Sequence, residues 1–418
     1  MNLALCARAI NALHDLIFSL PAPVIESAMK IAGPGSLIYP LIRRAQGYKP
    51  YPLPAPLSVP NKEVRILIAP VNFAEQAWHW ARALERECPN VSAQNVMVDF
   101  PGAFPFRADL NVPYGAFTLS KKWAKEYFED VCRYTHVLIE AEEPLFGCLF
   151  DFDVEKEVHA LRSEGVSVAL LSHGSDTRNP RAHAQRNQTS PFREKSRERQ
   201  VLQRRSDCNR ELIKRLQLPT FVSTPDLLED LPEALWCPLV VDSQEWTAAG
   251  ARSMQAISRD NDLLKVAHIP SRSWLKGTAQ IMPVLERLDA QGIVEHMSIQ
   301  SVPRQDMPTV LGQADILVDQ LTMGMYGATS IEAIAAGCIP IAHINDRMRA
   351  LIAEAVGMVC PIVEAQGETL EAVITALAKD VELRRELLEE NSRYLKTVHD
   401  GTLSASVLYD SWISKTVS

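Results

Sequence analysis

The alternation of short β-branched runs with longer helical patterns constrains the fold of this chain more than any other feature of it. Residues 64–69, 96–100, 136–141, 166–172 and 221–224 are almost continuously apolar, as strands buried on both faces of a parallel sheet must be. Segments of helical period separate them, around 75–87, 120–133, 154–164 and 193–217. After Val241 the series restarts, with strand-like runs at 264–269, 296–302, 316–318, 339–343 and 358–363 and a helical pattern from 370 to about 399. Two successive βαβ series predict an α/β chain of two Rossmann-like, doubly wound parallel-sheet domains. A length of 418 residues, too great for one compact core, agrees.

The boundaries follow from the breaks in this pattern. Four prolines in residues 51–60 exclude helix and central strand, so 1–60 reads as a helical extension and a proline-rich linker. The first domain is expected over 61–245 and the second over 246–399, with a last helix over 400–418 packing back on the first. In doubly wound sheets ligands sit beyond the carboxyl ends of the strands. Two such domains face each other across a cleft, and functional residues belong just after strands.

Composition narrows the partners. A net charge of −8 argues against general nucleic-acid binding. The eight cysteines form no C-x-x-C pair, which suggests neither a zinc ribbon nor a disulfide framework and fits a reducing cytoplasm. No stretch approaches the roughly 20 uncharged apolar residues of a membrane span. Residues 1–50 carry five basic and two acidic side chains among Leu, Ile and Phe. They fit a helix packed on the first domain or, alternatively, a peripheral anchor at the inner membrane face. Residues 178–215 hold twelve Lys/Arg against four Asp/Glu, which reads as a solvated helix or a surface for an anionic partner.

Two post-strand loops of the second domain carry the chemistry. In His268-Ile-Pro-Ser-Arg-Ser-Trp-Leu-Lys-Gly-Thr278, Arg272 offers a bidentate fork to phosphate oxygens and Lys276 a compact charge. A helix starting near Gly277 adds unpaired amides. The strand 315–320 leads into Tyr326-Gly-Ala-Thr-Ser-Ile-Glu332. There Gly327 permits close backbone approach, and Thr329 and Ser330 can cap a helix or donate to phosphate. Glu332 is expected in the first helical turn, able to accept both hydroxyls of a ribose, or else capping its own helix.

From Lys265 to Pro340 the sequence resembles the group 1 (family 4) retaining glycosyltransferases. The features are Arg272-x-x-x-Lys276-Gly277-Thr278, the strand Ala314-Asp-Ile-Leu-Val-Asp-Gln320, Tyr326-Gly-x-Thr-Ser-x-Glu332-Ala333, and Ala336-Gly-Cys-Ile-Pro340. The resemblance implies a GT-B architecture, a donor diphosphate held by Arg272 and Lys276, and a nucleotide ribose held by Glu332. It implies transfer of a hexose from a nucleotide-diphosphate sugar with retention, without metal or other cofactor. One position departs from the pattern. Many members carry two glutamates separated by seven residues, and here Gly324 stands at the first of them.

The likeness extends to the first domain, where His173-Gly-Ser-Asp-Thr-Arg178 follows a strand. It implies that His173 faces the reaction centre, with Asp176, Arg178 and, after the first strand, Asn72 as acceptor-side candidates. A histidine that ties down its own loop is the plainer account of His173. Asp151-Phe-Asp153 resembles a metal-binding D-x-D but precedes a helix, where acids are ordinary. The acceptor is expected to be a glycan, glycolipid or small molecule. Two other readings stay open: a nucleotide-sugar 2-epimerase, and a non-catalytic GT-B scaffold, which Gly324 favours.

Overall fold

The computed structural model describes residues 53–100, 104–248, 263–299 and 302–415. The reading of residues 1–50 falls outside them.

Strands β1 (Val64–Ala69), β2 (Val91–Asp99), β3 (Leu110–Pro113), β4 (His136–Glu140), β5 (Ser167–Ser172), β6 (Thr220–Val222) and β7 (Leu235–Trp236) form a parallel sheet. Its order is β3-β2-β1-β4-β5-β6-β7. A second parallel sheet, ordered β12-β11-β10-β8-β9, holds β8 (Leu264–Ala267), β9 (Val294–Met297), β10 (Ile316–Gln320), β11 (Ile339–Ala342) and β12 (Val363–Glu364). The central strands are sealed on both faces; every residue of β4, β10 and β11 is buried. Their apolar side chains meet those of the flanking helices, burial that drives each domain to fold.

β2, inside the first sheet, begins at Val91 rather than 96; the other differences from the expected strands fall at the edges. Strands β3 and β7 have four and two residues, too short to stand out as apolar runs. The expected strands at 296–302 and 358–363 are displaced: β9 begins at Val294, and β12 is only Val363–Glu364. Both lie at sheet margins, where one side meets water and the apolar signal weakens. The helical pattern over 370–399 is divided. Leu370–Lys379 ends at Asp380, whose side chain accepts from Leu383 N–H and caps Val381–Tyr394.

The chain then returns to the first domain. Tyr326 hydroxyl lies 2.8 Å from that of Tyr394 and 3.0 Å from Nε2 of His399. Nδ1–H of His399 donates to Leu239 carbonyl at 2.7 Å. Beyond it, Ser404 donates to Pro238 carbonyl at 2.7 Å, and Trp412 Nε1–H to Ser167 Oγ at 2.8 Å.

Within the first domain Glu157 is fully enclosed and accepts from the Leu145 and Phe146 amides at 2.6 and 2.9 Å. Burial pushes its carboxyl up to about 8, against the pull of those two amides. The folded value lies above the unfolded one, so the native state holds a proton that the unfolded state releases. This contribution is complete below about pH 4.5 and fades as pH rises to about 8. Thermal unfolding followed across that interval is expected to show a falling midpoint. Glu157→Gln is expected to be less stable overall and to have a flatter profile.

Candidate functional site

Strand β8 pairs with β9 on one side and β10 on the other, so the connections diverge between β8 and β10. The loops after these two strands meet at that switch point, the ordinary place for a ligand in such a sheet. His268, just past β8, anchors the first loop: its Nδ1–H donates to Val318 carbonyl at 2.7 Å and its Nε2 accepts from Thr278 at 2.9 Å. Burial lowers its basicity, as this neutral pairing requires. The loop continues as a short helix, Ser273–Lys276, stops at Gly277, and starts the helix Thr278–Ala290.

Lys276 reaches Asp319, at the penultimate position of β10, with Nζ 2.5 Å from Oδ1. The other carboxylate oxygen accepts from Gly327 N–H at 3.1 Å and Ser330 hydroxyl at 2.7 Å. Burial alone would push the Asp319 carboxyl up. Lys276, Ser330 and Gly327 outweigh it and hold the group below the usual carboxylate range. Gly327 N-caps the helix Ala328–Ala335, and a Cβ on it would come 3.3 Å from Lys276 Nζ. The missing side chain thus lets the ammonium sit beside the helix mouth, where first-turn amides lack intrahelical partners. Thr329 is half-buried in that turn. Arg272 is exposed and, among the described residues, its side chain has no hydrogen-bond or acidic partner.

Glu332 lies one turn deeper than expected. The helix begins at Ala328, which makes Glu332 its fifth residue rather than part of its first turn. It does not cap that helix; its Oε1 is paired with Arg304 at 2.5 Å. Burial pushes the Glu332 carboxyl up, and Arg304 offsets only part of that. Arg304 also lies 3.5 Å from Glu75 of the first domain and 5.6 Å from the ring of Trp246. It follows the edge strand β9, in no recognisable motif, so nothing in the sequence singled it out.

Gly324 touches the first domain. Its φ is +71°, and a Cβ there would lie 2.7 Å from Asn187 Nδ2 and 2.8 Å from Asn345 Nδ2. The loop around it is braced from within: Gln320 donates to the Met325 and His343 carbonyls and accepts from the Thr322 and Met323 amides. From the first domain, Asn187 and Thr189 each donate to Thr322 carbonyl at 3.3 Å. His183 Nε2–H donates to Met323 carbonyl at 3.0 Å, and Phe192 meets Trp274 edge-on. Part of the basic stretch therefore closes the cleft. Much of the rest is paired within the first domain: Arg178 with Asp226, Arg186 with Asp230, Arg205 with Glu143 and Arg215 with Glu155.

On that side of the cleft, His173 Nε2 lies 3.0 Å from Oε1 of fully buried Glu140. Its ring stacks on Trp80 and meets Phe73 edge-on. Oε2 of Glu140 is sealed from solvent and has no hydrogen-bond partner. Asp176 accepts from the amides of His173 and Gly174 at 2.6 and 2.5 Å, fixing the loop. Arg178 donates twice to Asp226, and buried Asn72 donates to Arg107 carbonyl at 2.8 Å. These three side chains hold loops that present His173 and Phe73. Asp153 caps the helix Val154–Ser163, and Asp151 pairs with Lys156. A groove of about 1030 Å³ lies at the amino ends of the first sheet's central strands, near Arg65, Arg162 and Trp412, away from all these residues.

No protein-family model matches the chain, and no curated protein does. Solved structures do. The sucrose-phosphate synthase of Thermosynechococcus elongatus is similar over 85% of this chain and 100% of its own, at 11% identity and a TM-score of 0.51. An alpha-glucosyltransferase in complex with UDP is similar over 83% of this chain and 99% of its own, at 12% identity and a TM-score of 0.53. An alpha-glucosyltransferase with UDP-glucose and DNA containing an abasic site gives 83%, 98%, 12% and 0.51 in the same order. The chain has the GT-B fold, two parallel-sheet α/β domains facing each other.

Removing Lys276 would leave a buried carboxylate without its cation. Lys276→Ala is expected to cost about 3 kcal/mol or more in urea unfolding. Adding Asp319→Asn should recover most of that loss, because the amide oxygen still accepts from Gly327 and Ser330. A separate expectation concerns Gly324→Ala. The added Cβ meets both amides in an unfavourable backbone region, so unfolding should come at least about 1 kcal/mol earlier.

Proposed function

We propose that the chain is a glycosyltransferase that moves a hexose from a nucleotide-diphosphate sugar to an acceptor, with retention and without a metal ion. The observation that carries this is the convergence of Lys276, Gly327 and the mouth of the helix Ala328–Ala335, with unpaired Arg272 on the same post-strand loop as Lys276. A diphosphate there receives two cations and a helix N-terminus, and buried Glu332 lies within reach of a ribose one turn further in.

The chemistry follows from charge. As the bond from sugar to diphosphate breaks, negative charge grows on the phosphate oxygens. Lys276, Arg272 and the first-turn amides are already oriented to stabilise it. The leaving diphosphate takes the proton of the acceptor hydroxyl on the face it departs from, which preserves configuration. His173, held by Glu140, serves a hydroxyl of the donor sugar or orients the acceptor. We place the acceptor among glycans, glycolipids or small molecules. DNA is named with several similar alpha-glucosyltransferase structures, whereas this chain carries a net charge of −8 and much of its basic stretch is internally paired. Among the described residues no helix is long and apolar enough to cross a membrane, and we keep the cytoplasmic reading as part of this proposal.

A second reading, a GT-B scaffold that binds nucleotide without turnover, draws on the contact of Gly324 with Asn187 and Asn345, which fills space beside the donor loop. The two readings separate by experiment. UDP, GDP and ADP, each at a hundredfold excess over its dissociation constant, would stabilise a binding fold by about 2.7 kcal/mol. At least one is expected to raise the melting temperature of the wild type, and Arg272→Ala is expected to keep the basal stability and lose most of that shift. No shift with any of them sinks the nucleotide reading. Turnover of the matching sugar nucleotide should yield a product with the donor's anomeric configuration by NMR. Inversion would exclude retention, consumption without acceptor would indicate an epimerase, and binding without turnover would favour the scaffold.

A further inference from the structure

We propose that Arg304 is a positioning residue for the donor nucleotide: it grips one oxygen of Glu332, leaves the other for the ribose hydroxyls, and is itself anchored by Glu75 of the opposite domain. This rests on the nucleotide-sugar reading above.

Three observations lead to it. Oε1 of Glu332 is held at 2.5 Å by Arg304, and Oε2 accepts no hydrogen bond from the described residues. A buried carboxylate without a cation would take up a proton and turn one acceptor site into a donor; burial already pushes Glu332 that way, and Arg304 opposes it. The guanidinium, in turn, is fixed on two further sides, by Glu75 at 3.5 Å and the face of Trp246 at 5.6 Å.

Glu75 is delivered by costly backbone. Asn72, Ala74 and Glu75 have φ of 127°, 52° and 62°, values that side chains with a Cβ avoid. Such a turn persists only where its surroundings over-determine it. Here Asn72 donates to Arg107 carbonyl, the Trp78 amide donates to Asn72, and the Arg107 amide donates to Oε1 of Glu75. The outcome is that Oε2 of Glu75 points at Arg304 while Phe73, in the same turn, meets His173. The acceptor-side domain thus reaches the donor ribose carboxylate through Arg304.

The test uses the full chain with three probes, UDP, 2′-deoxy-UDP and inorganic pyrophosphate, by calorimetry. Wild type is expected to bind UDP about tenfold or more tighter than 2′-deoxy-UDP, the value of one hydrogen bond to a charged group. Arg304→Ala should bind the two nucleotides alike and pyrophosphate as wild type does. Arg304→Lys, which keeps the charge, should restore part of the discrimination. Glu75→Gln should narrow it, and supplies the reading if Arg304→Ala fails to fold. Ribose discrimination unchanged in every folded variant overturns the role of Arg304 and leaves the donor site standing. Equal weakening of all three probes marks a merely structural residue and also overturns it. Failure of wild type to bind UDP overturns this proposal together with a uridine donor.

Discussion

The buried carboxylate of Asp319 dictates the shape of the second domain's ligand end. A charge that far from water costs several kcal/mol unless partners surround it. Its partners come from two connections: Lys276 from the loop after β8, and Gly327 and Ser330 from the turn after β10. Satisfying one ion therefore draws both loops together at the switch point and aims a cation at a helix mouth. Gln320, one residue on, does the same for the next loop with neutral hydrogen bonds, fixing Thr322, Met323, Met325 and His343 through one amide. Binding groups assembled in this way need little reorganisation when charge develops on a substrate.

The two domains meet at both ends of this loop system by different means. Near Gly324 the contact is close and largely neutral, made by amide, hydroxyl and imidazole donors to backbone carbonyls. Near Glu332 it is ionic, with Arg304 shared between a carboxylate of each domain. A neutral contact that excludes a Cβ specifies geometry, whereas a shared cation responds to whatever else approaches its carboxylates. The Gly324 end is thus held by shape and the Glu332 end by charge.

Much of this was legible in the sequence because it rests on local rules. The buried strands of both sheets appear as β-branched runs, and β1 begins and ends where the pattern places it. Lys276, Gly327 and Ser330 were legible as a loop chemistry suited to phosphate, and the structure brings them together around Asp319, which periodicity reads only as part of a strand. Edge strands β3 and β7 were not legible, since their pairing depends on neighbours rather than on their own composition. Arg304 and Glu140 stayed hidden for a related reason. Each becomes special only through a partner far along the chain, Glu332 for one and His173 for the other. Glu332 itself was found but set one turn too shallow, because the start of its helix is decided by Gly327 and not by the acid.

The return of the chain to its first domain bears on the order in which the protein can mature. Trp412 packs against His136 and bonds Ser167, and Ser404 bonds Pro238, so the first domain's own core is closed by residues that follow the second domain in the chain. The first half emerges from the ribosome with that face uncovered and waits for the whole second domain to be synthesised. The second sheet, by contrast, has all its strands by Glu364. The core of the first domain therefore closes only after the second has been made, an order opposite to that of synthesis.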